Sequence, residues 1–192
     1  MLSAVIPTNE SERTLVPTLA HLVAGAAEGM LREVIVADAG SKDATAEVAD
    51  VAGCRLMTLP GALGPRLTAA AATARASWLL FLRPGIALDA SWVREVARFI
   101  ETSDRRADGD VPAAVFRPGA DAGRPVLVEA LSLLRVALGG RPRPEQGLVI
   151  AKRFYERLGG HRDRGDTEAD LLRRIGRRRI VMLRAAAVAV TE

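Results

Sequence analysis

The apolar positions of this chain fall into short runs that alternate with stretches of helical spacing. Leu2–Pro7 is apolar on both faces and breaks off at Thr8-Asn9-Glu10, the pattern of a buried strand ending in a polar turn. Ser11 to about Glu28 follows as a helix, with Leu15, Leu19, Leu22 and Val23 on one face and Ser11 as its cap. Glu33–Ala37 reads as a second strand. Ser41 to Val51 reads as a helix with Ala44, Val48 and Val51 turned inward. Cys54–Leu59 is a third strand, Pro60–Pro65 a turn-rich loop and Arg66–Arg75 a short alanine-rich helix. Ser77–Leu82 is a fourth strand, and a helix starting at Asp89 or Ser91 runs through Ile100.

The second half is more polar. Glu101–Val111 reads as a mobile loop, Pro112–Phe116 as a strand and Pro125–Leu138 as an amphipathic helix closed by Gly139-Gly140. Glu145–Ala151 follows as a strand, and Lys152–Leu158 as a helix ended by Gly159-Gly160. Thr167–Ile175 is a helix stopped by Gly176, and Arg179–Leu183 a last strand. Repeated β-α-β units predict a three-layer α/β/α sandwich with a mostly parallel sheet. With 192 residues and no internal boundary, residues 1–192 are expected to form one domain.

In such a fold ligands bind where strands end, at a switch in strand order. The first strand ends in Pro7, Thr8, Asn9 and Glu10; the second ends in Asp38-Ala39-Gly40-Ser41-Lys42-Asp43. Carboxylates, a Gly and a Ser at such ends suit a nucleotide better than a core. Asp38 can accept from a base N–H or a ribose hydroxyl, and Glu10 suits a ribose hydroxyl. Asp43 equally suits a first-turn helix charge, and Asn9 a turn former. Several classes are excluded. No G-x-G-x-x-G follows the first strand, and there is no P-loop and no G-x-S-x-G elbow. His21 and His161 stand apart, with no Cys or acid at metal spacing around either.

Composition adds little until charge is mapped. Hydrophobic residues are 49% and charged residues 26%, ordinary for a globular chain. The single Cys54 excludes an internal disulfide framework and reads as a core residue. No apolar stretch approaches the roughly 20 residues of a membrane span, and the N-terminus carries no basic region before its apolar run. A soluble, cytoplasmic protein is expected. Net charge is +4, and eight Arg against four acids between Arg162 and Arg184 account for an excess of that size. That stretch is read as a solvated face or as a surface for phosphates or lipid headgroups.

Ile6-Pro7-Thr8-Asn9-Glu10 and Val34-Ile35-Val36-Ala37-Asp38-Ala39-Gly40-Ser41-Lys42-Asp43-Ala44-Thr45 resemble the N-terminal signature of glycosyltransferase family 2. The resemblance extends to Gly64-Pro65-Arg66-Leu67, to Trp78–Leu82 and to Trp92. Glu145-Gln146-Gly147 and Leu158-Gly159-Gly160-His161 look like the family's G-D-Q-G and G-G-F segments. It implies the GT-A fold, a nucleotide-diphospho-sugar donor (UDP is expected) and an acceptor hydroxyl on a lipid, glycan or small molecule. It implies inversion at the anomeric carbon and assigns Pro7, Asn9, Glu10, Asp38, Asp43 and Arg66 to the nucleotide. The processive Q-x-x-R-W signature is absent, so a non-processive enzyme is expected.

The chain departs from the family at the metal. After the fourth strand the family has Asp-x-Asp, which holds Mg²⁺ or Mn²⁺ against the diphosphate. Here the chain reads Leu82-Arg83-Pro84-Gly85, and the next acid, Asp89, suits a helix cap. No metal ligand is therefore assigned. Either Arg83 clamps the diphosphate as a fixed cation, or catalysis has been lost and nucleotide binding remains. Where the family carries its base in E-D-x-[DE]-L, this chain has Asp166-Thr167-Glu168-Ala169-Asp170-Leu171; register on Leu171 puts Glu168 at the base. The first turn is one residue shorter than the family's. Three functions are carried forward: a glycosyltransferase, a GT-A-like binding protein without turnover, and nucleic-acid binding through the Arg-rich stretch. The last is disfavoured because aromatics are only 4%. Peripheral membrane contact stays open.

Overall fold

The computed structural model describes residues 1–105, 112–119 and 142–190. The expected helix over Pro125–Leu138 and most of the expected loop over Glu101–Val111 lie outside the described residues. The elements are β1 (Leu2–Thr8), α1 (Glu12–Ala27), β2 (Leu31–Asp38), α2 (Thr45–Val51), β3 (Arg55–Thr58), α3 (Leu63–Ala72), β4 (Trp78–Phe81), β5 (Ile86–Leu88) and α4 (Trp92–Asp104). They continue with β6 (Ala113–Pro118), a 3₁₀ turn (Pro144–Gln146), β7 (Leu148–Ala151), α5 (Lys152–Arg157), α6 (Thr167–Ile175), a second 3₁₀ turn (Arg177–Arg179) and β8 (Ile180–Ala189).

The strands form one sheet in the order β3-β2-β1-β4-β7-β6-β8-β5. Pairs β2/β3, β1/β2, β1/β4 and β6/β8 are parallel, while β4/β7, β6/β7 and β5/β8 are antiparallel. β1 and β4 are apolar on both faces because helices cover both. The right-handed rule puts α1 and α2 on one face of the sheet and α3 on the other. Trp92 of α4 packs with α1, donating its indole N–H to the His21 carbonyl at 3.0 Å. Trp78, Trp92, Phe116 and Leu80 are among the large side chains fully enclosed in the core. β1 and β2 run in register to their last residues, Thr8 opposite Asp38, so their two polar loops emerge side by side. The strand order reverses between β1 and β4, the position at which such sheets take their ligands.

Several local expectations are corrected. The second helix begins at Thr45 rather than Ser41, because 41–44 bind the neighbouring loop, and Val51 is 83% exposed rather than inward. Ser11 does not cap α1: its hydroxyl bonds Asn9, and Asp43 accepts the Glu12 N–H instead. Asp89 caps no helix through its side chain. It accepts from Ser91 and from the Ala186 N–H, tying the approach to α4 onto β8. The third helix starts at Leu63, with Pro65 in its first turn where no N–H is needed. β5 had no sequence signal, and β8 reaches Ala189 rather than Leu183. Cys54 precedes β3 and is half-buried, with its thiol pushed up to about 11 by burial, which makes it inert. No helix among the described residues is long and apolar enough to cross a membrane.

Candidate active site

The loops after β1 and β2 are laced to each other. Glu10, the one non-glycine residue with positive φ (50°) among the described residues, accepts from the Lys42 and Asp43 N–H groups at 2.9 and 3.2 Å. Its own N–H donates to Ser41 Oγ at 2.8 Å. Glu12 accepts from the Ala44 N–H, and Asp43 accepts in return from the Glu12 and Thr45 N–H groups. Glu12 and Asp43 thus take N–H groups at the two helix starts, while Glu10 takes those of the loop before α2.

Asp38 lies at the centre of this lattice and is 4% exposed. One oxygen accepts from Thr8 Oγ1 and Ser41 Oγ at 2.8 and 2.5 Å; the other accepts from the Gly40 and Ser41 N–H groups at 2.8 and 2.7 Å. Burial alone would raise its pKa, but the Ser41, Thr8 and Gly40 bonds outweigh it and hold the carboxyl below its ordinary value. Its partners are thus its own loop and the last residue of β1. Pro7 sits half-buried opposite Ala37, and Asn9 and Glu10 are exposed at the rim.

Arg66 rises from α3 beside this loop. It is 9% exposed, and among the described residues no acceptor meets its buried Nε and Nη1. Burial lowers the pKa of its guanidinium, and the charge of Asp38 offsets part of that. A buried arginine without its hydrogen bonds is costly, and the described residues supply no acceptor for these two nitrogens.

The third part assembles on the turn after β4. Arg83 donates through Nε to Glu168 Oε2 at 2.9 Å, through Nη2 to the same oxygen, and through Nη1 to Glu145 Oε1 at 3.0 Å. Glu168 opens α6, and its side chain is 12% exposed; that of Glu145, in the 3₁₀ turn before β7, is 54% exposed. Burial opposes the charge of Arg83, yet the Glu168 bond and the charges of Glu168, Glu145 and Asp166 raise its pKa above the ordinary value. Gln146 is buried and anchors the turn, accepting from the Arg143 N–H and donating to the Phe116 carbonyl at 2.8 and 2.7 Å.

The segment that brings Glu168 here is fixed from below. Arg174 of α6 donates to the carbonyls of Leu158 and Gly160, both at 2.6 Å, and to Asp170 at 2.8 Å. It holds the Gly159-Gly160 bend, so this arginine at least is not a solvated charge. His161 is buried against Phe81 and Tyr155; its Nδ1 lies 2.8 Å from the Tyr155 hydroxyl. Burial, with Arg174 nearby, pushes its pKa down to about 3, so the ring is neutral. Sequence reasoning missed this His161–Tyr155–Thr68 network and the role of Glu145. The only signal was that Glu145 and His161 belong to the two quoted glycine-containing segments.

The residues do not fit Mg²⁺ or Mn²⁺. A guanidinium stands after β4, and the carboxylates that converge there are bound to it. Both Asp89 oxygens are taken by Ser91 and Ala186, and no group of three or more His, Cys, Asp or Glu among the described residues could hold a metal ion.

The sequence profile described as glycosyl transferase family 2 matches residues 3–133. The chain belongs to this family. Comparison with curated proteins finds no match. Among solved structures, S. aureus TarS 1–349 in complex with UDP superimposes with a TM-score of 0.72 at 15% identity, covering 100% of this chain and 60% of TarS 1–349. Glucosyl-3-phosphoglycerate synthase from Mycobacterium tuberculosis, in complex with Mn²⁺, UDP and glucosyl-3-phosphoglycerate, gives 0.68 at 16% identity, covering 100% of this chain and 72% of that one. Mannosyltransferase PcManGT from Pyrobaculum calidifontis, in complex with GDP-Man and Mn²⁺, gives 0.71 at 17% identity, covering 100% and 57%. These likenesses establish the GT-A fold. The chain spans about 60% of the TarS 1–349 length, so it is the shorter member of that pair.

Proposed function

We propose that this chain transfers a glycosyl group from a nucleoside-diphosphate sugar, with UDP as the expected nucleotide, to an acceptor hydroxyl. The observation that carries the reading is Arg66: a buried guanidinium whose Nε and Nη1 find no acceptor among the described residues, beside the β2 loop at the strand-order switch. A diphosphate supplies the acceptors this group lacks. Pro7, Asn9 and Glu10 form the rim for the nucleoside, while Asp38 and Asp43 hold the loop that receives it. Arg83 supplies a second positive charge at the crevice.

Glu168 acts as the base. Its Oε2 is held by Arg83, which leaves Oε1 to take the acceptor's proton. The acceptor oxygen forms its bond to the anomeric carbon as the bond from that carbon to the diphosphate oxygen breaks. The electron pair leaves on the diphosphate and the proton stays on Glu168. In-line attack from the opposite side inverts the carbon. Glu168→Gln keeps the shape and removes the proton acceptor, so turnover should fall roughly 10²–10⁴-fold. The check is calorimetric titration with UDP followed by a transfer assay with UDP-sugars; wild-type turnover in the variant removes Glu168 from this role. A second reading, nucleotide binding without turnover, draws on the engagement of Glu168 by Arg83. It is favoured if donors bind the wild type and no transfer or hydrolysis follows.

A further inference from the structure

The guanidinium of Arg83 is met along both edges. The Nε–Nη2 edge faces the half-buried Glu168, and Nη1 faces the exposed Glu145. A diphosphate needs one edge of this fork for a bidentate contact, so one carboxylate must leave. Magnitudes decide which. An exposed ion pair contributes little, whereas breaking a pair whose acid is largely out of water strands a charge. Glu145, at 54% exposure, turns into solvent at a small cost; Glu168, at 12%, leaves only at a large one.

We propose that Arg83 replaces the divalent cation in this site, anchored by Glu168 and held in readiness by Glu145, which the donor's diphosphate displaces. This rests on the nucleotide-sugar reading above. One guanidinium then lies between the base and the leaving group. As the acceptor's proton reaches Glu168, that carboxylate loses its negative charge. The charge of Arg83 is then opposed chiefly by the diphosphate, where negative charge is gathering at the same moment, with Asp166 the remaining acid that acts on it. A metal ion offers the diphosphate a fixed charge; Arg83 offers one whose counter-charge is cancelled by the proton transfer itself. Glu145 is a placeholder that satisfies the outer N–H while no donor is bound.

The test is UDP affinity by calorimetry on the full chain, with folding checked by circular dichroism. Arg83→Lys keeps the charge and loses the fork, and should weaken UDP about tenfold or more. Glu145→Gln should tighten UDP about threefold or more, since the placeholder no longer competes. In the Arg83→Lys background Glu145→Gln should have no such effect, because the gain passes through the guanidinium fork. Affinity in EDTA and in excess Mn²⁺ should agree within about twofold. An equal gain from Glu145→Gln in both backgrounds shows plain charge repulsion and overturns the placeholder. A requirement for Mn²⁺ overturns the cation replacement. If the folded wild type binds neither UDP nor GDP, the nucleotide-sugar reading itself falls, and this inference with it. Binding that ignores Arg83 overturns the inference alone.

Discussion

His161 shows how one residue's surroundings set a property of the whole protein. An exposed imidazole titrates near 6.5, but here burial against Phe81 and Tyr155, with Arg174 close by, pushes the value down to about 3. Between those values the unfolded chain holds a proton that the folded chain refuses. Stability therefore rises with pH across that window, by about 1.4 kcal/mol per pH unit for this group, and is lost as pH falls. Urea unfolding of the wild type and of His161→Phe, measured from pH 7 to pH 4, should show the steeper acid loss in the wild type. Parallel curves would mean that the ring is protonated in the folded state. Asp38 gives the opposite lesson about reading residue types. A carboxylate at a strand end suits a nucleotide; this one accepts three bonds from its own loop and a fourth from Thr8 of β1.

At the scale of elements, the site depends on how closely α3 approaches the segment before α6. Gly64 makes that approach: a Cβ there would lie 2.2 Å from the Arg162 carbonyl oxygen and 2.9 Å from Thr167 Oγ1. Propensity alone says that Gly→Ala in a helix gains about 1 kcal/mol. The clash is with backbone, which cannot rotate away, and overpacking costs about 1–3 kcal/mol. Gly64→Ala should accordingly destabilise the protein. It should also lower turnover by shifting Glu168, which Thr167 and Arg162 carry. Unfolding midpoints and kcat would report both. A stabilised variant with unchanged kcat would show that α3 and the segment before α6 move apart freely. The same close approach explains why the helix begins at Leu63 and not at Arg66. Pro65 is admissible in a first turn, and Gly64 beside it lets that turn seat against the neighbouring segment.

Across the whole molecule, Asp38, Arg66, Arg83, Glu145 and Glu168 come from five separate stretches of chain. The unfolded protein has no such site, so on the proposed nucleotide-sugar function the ligand should bind the folded state alone. At a concentration 100 times Kd, UDP should add about 2.7 kcal/mol of stability. For a chain of this size that raises Tm by roughly 5–10 °C. Differential scanning calorimetry checks it. Absence of any shift at UDP concentrations that saturate binding in titration would mean that the ligand binds the unfolded chain equally.

Local chemistry was enough to determine β1, β2, β4 and their partner helices, because strands buried on both faces leave continuous apolar runs and amphipathic helices leave a stripe. It was also enough to point to the two loops, whereas Glu168, Arg66 and Arg83 were singled out by the resemblance to the family's motifs. Tertiary structure alone decided what each of them touches. The antiparallel entry of β7 beside β4 carries Glu145 to Arg83, across 62 residues of chain. The Gly159-Gly160 bend, held by Arg174, carries Glu168 there across 85. No periodicity encodes these meetings, since a salt bridge depends on where two backbones pass in space. β5 shows the same limit: Ile86-Ala87-Leu88 is too short to signal a strand, and it becomes one because β8 arrives to pair with it.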